Sequence, residues 1–141
     1  MTDWVQYHNP AKNPPLDHET DDYGIYTRKP VGSVQLGDRV WVVTSAGDRP
    51  KQYQLAGWFD VAAVEANLPA DDNVVSGTRG QFYRDGRRID QEPWFAEFLR
   101  TQGNFGRGFS SIADRKIIDG LKYTARVRGA ESRVRRRPAA R

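Results

Sequence analysis

Residues 36–66 read LGDRVWVVTSAGDRPKQYQLAGWFDVAAVEA and carry the clearest strand signals in the chain. The run from Val40 to Val43 is continuously apolar, which predicts a strand buried on both faces. Residues 46–50 predict a loop, because Pro50 has no N–H to donate to a central strand. A second strand should run through residues 53–61. We expect these two strands to form the centre of the sheet.

The second strand alternates between apolar and other residues, as a pleated strand does. The alternation predicts that Tyr53, Leu55, Phe59 and Val61 share the core face. It places Trp58 on the opposite face, where an aromatic ring could form the wall of a pocket.

Length and composition predict one domain, residues 1–125, followed by an arginine-rich tail or linker, residues 126–141. The chain has no cysteine, which excludes disulfides and thiolate zinc sites. No apolar run approaches the roughly 20 residues that span a bilayer. The first residues lack the pattern of a signal peptide. We therefore expect a cytoplasmic protein with no membrane partner.

Charge divides unevenly between these two parts. Residues 1–125 hold 15 Lys and Arg against 17 Asp and Glu, whereas residues 126–141 hold seven Arg against one acid. A basic tail attracts phosphate polymers without sequence preference. The alternatives for the tail are a solvated segment or a linker to a nuclease domain. The nuclease partner itself could be fused to this chain or separate from it.

Outside the centre, residues 3–8 predict a first strand and residues 9–22 a long loop. Residues 68–77 predict a polar loop. Residues 79–89 predict a basic hairpin, since Asp-Gly between strand formers favours a tight turn. Two helices should follow, one starting at residues 90–93 and one near Asp114. Residues 104–111 predict a glycine-interrupted loop, and residues 123–127 a last strand.

The sequence offers little for catalysis. It has two histidines, no Walker loop and no histidine at a spacing that would activate Ser110 or Ser111. We expect no metal, no cofactor and no enzymatic activity. The alternative is a small hydrolase or glycosylase that uses Asp60 or Asp85 as its acid.

The residues favour a binding module instead. Proteins that read one unpaired base stack it on aromatic rings and hydrogen-bond its edge. Aromatic residues that could form such a platform are Tyr23, Tyr26, Trp58, Phe105 and Phe109.

Three motifs resemble the PUA-like superfamily, and within it EVE-type domains, with YTH-type domains as cousins. They are Gly37-Asp38-x-Val40-Trp41, Leu55-Ala56-Gly57-x-Phe59-x-Val61, and Phe98-Leu99 with the later Asn104-Phe105-Gly106-x-Gly108-Phe109. The resemblance covers roughly residues 3–125. It implies an α+β fold, a twisted mixed sheet or pseudo-barrel flanked by short helices. It also implies a pocket for a modified base flipped out of nucleic acid.

The resemblance also implies roles for individual residues. Asn9 would reach the base edge, Tyr23 or Tyr26 would stack on the base, and Thr27 would add a polar contact. The Arg84-Asp85-Gly86 segment would touch the backbone and the base. The chain departs from those relatives in having tyrosines where tryptophan is typical. The predicted base pocket is Asn9, Tyr23, Tyr26, Thr27, Ser45, Trp58 and Asp85.

Basic residues near these positions are predicted to bind phosphates. They are Lys29, Lys51, Arg79, Arg84, Arg87, Arg88 and Arg107. The predicted partner is double-stranded DNA that contains 5-methylcytosine, 5-hydroxymethylcytosine or N6-methyladenine, within a modification-dependent restriction system. The alternative is an RNA-binding accessory protein of the PUA-like class.

Overall fold

The structure, a computed structural model, describes residues 1–13, 16–67 and 72–128. The strands are β1 Asp3–Tyr7, β2 Tyr23–Thr27, β3 Arg39–Ala46, β4 Gln52–Asp60, β5 Ala63–Glu65, β6 Asn73–Gly77, β7 Arg79–Arg88 and β8 Phe109–Ile112. The helices are α1 Phe95–Thr101 and α2 Arg115–Tyr123, with a 3₁₀ turn at Gly103–Phe105 and a π-helical stretch at Thr124–Arg128. The class is therefore α+β, dominated by strands.

The strands form two sheets. The larger has the order β7-β4-β3-β1-β8, and the smaller has the order β2-β6-β5. Among the described strands, only β1 and β3 pair in parallel, with Trp4 opposite Val40. Both sheets are open among the described residues, with β7, β8, β2 and β5 at their edges. The pseudo-barrel implied by the resemblance therefore stays a prediction.

The prediction that β3 is central and buried on both faces is confirmed. Each of the four residues from Val40 to Val43 has no exposed surface. Trp41 and Val43 face a cluster that we call the helix core, because α1 and α2 supply five of its 13 buried residues. Val40 and Val42 face a cluster between the two sheets, which we call the inter-sheet core. Complete burial of such a side chain contributes about 1.5–3 kcal/mol.

The predicted alternation in β4 is wrong beyond Leu55. Leu55 packs in the helix core, whereas Phe59 and Val61 pack in the inter-sheet core. The pairing with β7 shifts between Leu55 and Gly57, so the side chains after the shift change faces. Gly57 permits the shift, because a Cβ there would collide with the backbone of β7.

The predicted hairpin at residues 79–89 is also wrong. Residues Arg79–Arg88 form one long strand, β7, that pairs with β4 at both ends. Four residues of β7, 83–86, stand opposite Ala56 alone, because Leu55 pairs with Arg87 and Gly57 pairs with Phe82. Asp85 and Gly86 thus lie in a wide bulge rather than in a turn. Both ends of β7 pair with β4, whereas a hairpin would pair the two halves of residues 79–89 with each other.

Both predicted helices are confirmed, and their packing explains their positions. Asp114 caps α2 by accepting a hydrogen bond from the Lys116 N–H at 2.9 Å. Gly120 of α2 lies against the indole of Trp94, and a Cβ there would collide with that ring. The predicted last strand is wrong, because Thr124–Arg128 continues α2 as a π-helical stretch.

That stretch also crosses the predicted domain boundary between residues 125 and 126. The rest of the predicted tail, residues 129–141, lies outside the described residues. Two of the predicted loops contain strands, β6 and β8. Both are short, and polar residues such as Asn73, Ser76 and Ser111 weaken their strand signal.

The N-terminal strand is held by one carboxylate. Asp38, which is buried, accepts hydrogen bonds from Thr2 N at 2.9 Å, Gln35 N at 2.9 Å and Trp4 Nε1 at 3.1 Å. Burial alone would raise the pKa of Asp38. The N–H donors outweigh burial, so the pKa of this carboxyl lies below its ordinary value. Asp38 therefore links β1 to the start of β3 in its ionised form.

Candidate nucleic-acid interface

Two adjacent cavities open between the sheets, beside the loop that follows β1. One, the Tyr26 cavity, has a volume of about 320 Å³ and lies between β1 and β2. The other, the Arg84 cavity, has a volume of about 260 Å³ and lies between the ends of β3 and β4 and the β7 bulge. Their walls share His8, Asn13 and Leu16. We call the two cavities together the groove.

Their volumes lie near the lower end of the range for small-molecule sites, about 300–1,000 Å³. A site of this size suits one small planar group better than a large cofactor. Among the described residues, no group of three or more His, Asp or Glu side chains could hold a metal ion.

The strands supply the groove with the polar residues of their inter-sheet face. Val5 points into the helix core, and so Gln6 and His8 share the face that lines the Tyr26 cavity. By the same alternation Val43 and Leu55 are core residues, while Thr44 and Gln54 line the Arg84 cavity. The groove is therefore the polar continuation of the inter-sheet core.

The β7 bulge forms the outer wall of the Arg84 cavity. Tyr83, Arg84 and Gly86 line it, and a Cβ at Gly86 would collide with the side chain of Gln54. The Asp85-Gly86 pair, which predicted a hairpin turn, is thus part of the bulge that forms the outer wall of the Arg84 cavity. Asp85 is exposed and is absent from the lining of either cavity.

The two predicted stacking tyrosines have different environments. Tyr23 is only 8% exposed and stacks on Phe59, with ring centroids 6.4 Å apart, so it is a core residue. Tyr26 is 70% exposed and lines the Tyr26 cavity. Because β2 alternates inward and outward, three residues separate a core ring from a surface ring. Of the two, Tyr26 alone is placed to stack on a ligand.

The other predicted base contacts divide in the same way. Ser45 is buried, lines the Arg84 cavity and shares a hydrogen bond with the Tyr7 hydroxyl. Thr27 is buried, and its Oγ1 accepts a hydrogen bond from the Lys29 N–H at 3.0 Å. Trp58 packs at the margin of the helix core, with the Arg39 guanidinium 4.1 Å above its ring. Thr27 and Trp58 do not line the groove.

Asn9 is engaged in its own turn. Its Oδ1 accepts a hydrogen bond from Ala11 N at 3.0 Å, and its carbonyl accepts from Lys12 N and Asn13 N. This Asx turn uses the carboxamide that was predicted to read the base. Asn13, four residues later, lines both cavities instead.

The predicted phosphate contacts fall into two groups. Arg84 is exposed and lines the groove, and Lys29, Lys51 and Arg107 are exposed away from its lining. The remaining three arginines make contacts within the protein. Arg79 pairs with Asp60, Arg88 pairs with Asp90, and Arg87 donates to the Ala125 carbonyl.

Arg87 has a clear structural role. Its guanidinium lies 3.5 Å from the centroid of the Tyr83 ring and 2.7 Å from the Ala125 carbonyl oxygen. It therefore joins β7 to the end of the α2 helix, where a cation is favourable. Burial raises the pKa of the Tyr83 hydroxyl, although the nearby charge of Arg87 opposes this.

Neither acid of the alternative hydrolase is positioned in the groove. Asp60 forms an ion pair with Arg39, with 2.8 Å between Oδ1 and Nε, and Asp85 is exposed on the bulge. Two other carboxylates, of Asp17 and Asp22, line the Tyr26 cavity.

Sequence reasoning missed Gln6, His8, Asn13 and Gln54 as lining residues. A signal for three of them was present, because Gln6 and His8 are polar residues on one face of a strand and Gln54 lies on the face of β4 opposite Leu55. No signal for Asn13 was available, because it reaches the groove through the path of a loop.

Comparison with protein-family models, with curated proteins and with solved structures gave no match for this chain. The likeness to EVE-type domains therefore stays a prediction from the sequence. In the described part of the chain, no helix is long and apolar enough to cross a membrane.

Proposed function

We propose that the protein is a nucleic-acid-binding module that reads a modified base flipped out of double-stranded DNA. The observation that carries this proposal is Tyr26, an exposed ring on the lip of a cavity of about 320 Å³ whose lining mixes polar and apolar residues. A base stacked on it would contribute about 1–3 kcal/mol.

The groove offers the other contacts that a flipped base needs. Gln6, Asn13 and Thr20 line the Tyr26 cavity and can hydrogen-bond a base edge. Arg84 of the adjacent cavity can hold a neighbouring phosphate. Flipping costs a few kcal/mol of lost stacking and pairing, which these contacts and the basic residues together must offset.

The fold proposed here is PUA-like and of the EVE type, and the protein acts in the cytoplasm without catalysis. Its modification would be 5-methylcytosine, 5-hydroxymethylcytosine or N6-methyladenine. It would supply specificity to a restriction system whose nuclease is fused or separate. Lys29, Lys51 and Arg107 would contact phosphates farther from the base, and residues 126–141 would add affinity without specificity.

Fluorescence polarisation with four duplexes tests this function. They carry an unmodified site, 5-methylcytosine, 5-hydroxymethylcytosine or N6-methyladenine at one salt concentration. We expect one modified duplex to bind at least about tenfold tighter than the unmodified one, a difference of about 1.4 kcal/mol. Equal affinity for all four would refute the proposal. Tighter binding of a structured RNA at matched salt would favour the RNA-binding alternative.

A pair of tyrosine variants connects the affinity to the groove. Tyr26→Ala should abolish the preference for the modified duplex. Tyr123→Ala should leave it unchanged, because Tyr123 is also exposed, at 58%, but lies at the end of α2. Equal losses in the two variants would place the contact elsewhere.

A further inference from the structure

The side-chain carboxamide of Gln6 has, within the described part of the chain, one acceptor without a partner and one long hydrogen bond. Its side-chain oxygen, Oε1, is buried and has no hydrogen-bond partner among the described residues. Its Nε2 donates to the Tyr26 carbonyl oxygen at 3.4 Å, near the limit for a hydrogen bond. Buried acceptors without partners are rare in folded proteins, because each one costs free energy.

This side chain lies in the groove beside the exposed ring. Gln6 and Tyr26 line the same cavity, and the weak hydrogen bond joins them across it. The hydrogen bond to the Tyr26 carbonyl sets which end of the carboxamide is the donor and which is the acceptor. In that orientation Oε1 and the second N–H of Nε2 remain as an acceptor and a donor side by side for a ligand.

The charges of the two cavities differ in sign. Asp17 and Asp22 line the Tyr26 cavity, and no Lys or Arg is among its described lining residues. Arg84 lines the other cavity, and no Asp or Glu is among its described lining residues. A ligand that fills both would place N–H groups near the carboxylates and an anionic group near Arg84.

We infer that Gln6 is a specificity-determining residue, and that the Tyr26 cavity selects bases with an exocyclic amine. This inference rests on the proposed function. Gln6 Oε1 would accept a hydrogen bond from the amine, and Nε2 would donate to the adjacent ring nitrogen. Cytosine and adenine derivatives have this donor–acceptor pair. A uracil or thymine derivative has a carbonyl oxygen in place of the amine and would face the carboxylates of Asp17 and Asp22 with an acceptor.

Three matched pairs of bases, one for each proposed modification, test the amine. They are 5-methylcytosine and thymine, 5-hydroxymethylcytosine and 5-hydroxymethyluracil, and N6-methyladenine and O6-methylhypoxanthine. The purine pair isolates the amine, because in the pyrimidine pairs the adjacent ring nitrogen also changes from an acceptor to a donor. Each pair exchanges an amine for an oxygen and keeps the added carbon group. Each target faces an abasic site in the duplex, so that no base pair has to be broken and the cost of flipping stays similar. Affinities are measured by fluorescence polarisation at one salt concentration.

For the modification that the wild-type protein prefers, we expect the amine-bearing base to bind about tenfold tighter than its oxygen partner. Gln6→Leu should reduce that ratio to about one, because the variant has no acceptor. Gln6→Glu keeps an acceptor but lacks the N–H that Nε2 would donate to the ring nitrogen, so it should bind the amine-bearing base more weakly than the wild-type protein. Gln91→Leu, outside the groove, is the matched control and should behave as wild type.

Each other outcome has a distinct meaning. If the wild-type protein binds a modified base tightly but does not distinguish the two members of its pair, the role of Gln6 is refuted and the proposed function stands. An unchanged ratio in Gln6→Leu refutes the role of Gln6 in the same way. If no modified duplex binds better than the unmodified one, both the inference and the proposed function are refuted.

Discussion

The helix core and the groove share the strands β1, β3 and β4, and the strands β2 and β7 add Tyr26 and Arg84 to the groove. On one face of β1, β3 and β4, residues such as Val5, Val43 and Leu55 pack completely in the helix core. On the other face, near the strand ends, Gln6, Thr44 and Gln54 line cavities. The alternation of side chains along these strands therefore supplies packing that stabilises the fold on one face and polar cavity-lining groups on the other.

The aromatic residues follow the same division. The ring of Phe105 is surrounded by other rings in the helix core. Its centroid lies within 6.5 Å of the ring centroids of Tyr7, Tyr53, Phe95 and Phe98. Among the described residues that line the groove, the one large exposed ring is Tyr26. Most rings therefore stabilise the protein, and we expect ring substitutions to separate stability from binding.

The largest expected effect comes from the two tyrosines of β2. Tyr23→Ala should reduce the free energy of unfolding by about 3 kcal/mol or more, because it leaves a cavity beside Phe59 and Phe82. Tyr26→Ala should change that free energy by no more than about 0.5 kcal/mol. Urea denaturation measures both. A similar loss of stability in the two variants would mean that Tyr26 is a packing residue. It would contradict the assignment of Tyr23 to the core and Tyr26 to the groove.

A second pair of variants separates two arginines of β7. Arg87→Ala should lower the free energy of unfolding by about 1–2 kcal/mol, since it removes the contacts with Tyr83 and with the Ala125 carbonyl. Arg84→Ala should leave stability unchanged, because its side chain is exposed at the groove. Thermal unfolding followed by circular dichroism distinguishes them. Equal melting temperatures for both variants would remove the structural role that we assign to Arg87.

These pairs also show what the sequence could predict. The buried centre of β3 followed from four consecutive apolar residues, and the helices followed from Pro93, Gly103 and the capping Asp114. The β7 bulge could not be predicted, because Asp85-Gly86 has the same local signal in a turn as in a bulge. The choice between them depends on the partner strand β4.

The candidate site was harder to predict than the fold, for a related reason. Tyr26 and Ser45 line the groove as predicted, but Asn9, Thr27 and Trp58 do not. Local contacts decide these outcomes, such as the Asx turn of Asn9 and the stacking of Arg39 on Trp58. A sequence motif predicts which residue types are present. Local contacts and strand bulges determine which of those residues reach the site.

A third prediction concerns the anchor at Asp38, which belongs to the packed part of the molecule. The folded protein lowers the pKa of Asp38 below the ordinary value of 3.8 for an aspartate carboxyl. The stabilising effect of its carboxylate is thus present above that value and is lost as the pH falls through the lower folded pKa. Urea denaturation of the wild-type protein and of Asp38→Asn should give a difference at pH 7 that shrinks at pH 2–3. A difference independent of pH would contradict the role of the ionised form.

The smallest expected effect is a change in salt dependence. Arg84→Ala should lower the slope of log affinity against log salt by about 1, the value for one lost phosphate contact. Arg100→Ala is the control, because Arg100 pairs with Glu97 on α1, outside the groove. Polarisation titrations over a range of salt concentrations give both slopes. An identical slope for Arg84→Ala and wild type would exclude Arg84 as a phosphate contact.

The most direct test of the central claim is backbone amide shift mapping by NMR, with a duplex that carries the preferred modified base. If the groove binds the base, the largest amide shift changes should fall on Gln6, Asn13, Tyr26 and Arg84. The amide shifts of α1 and α2 should stay nearly unchanged. Large changes confined to the helices, or the same pattern with an unmodified duplex, would contradict the claim that the groove reads the base.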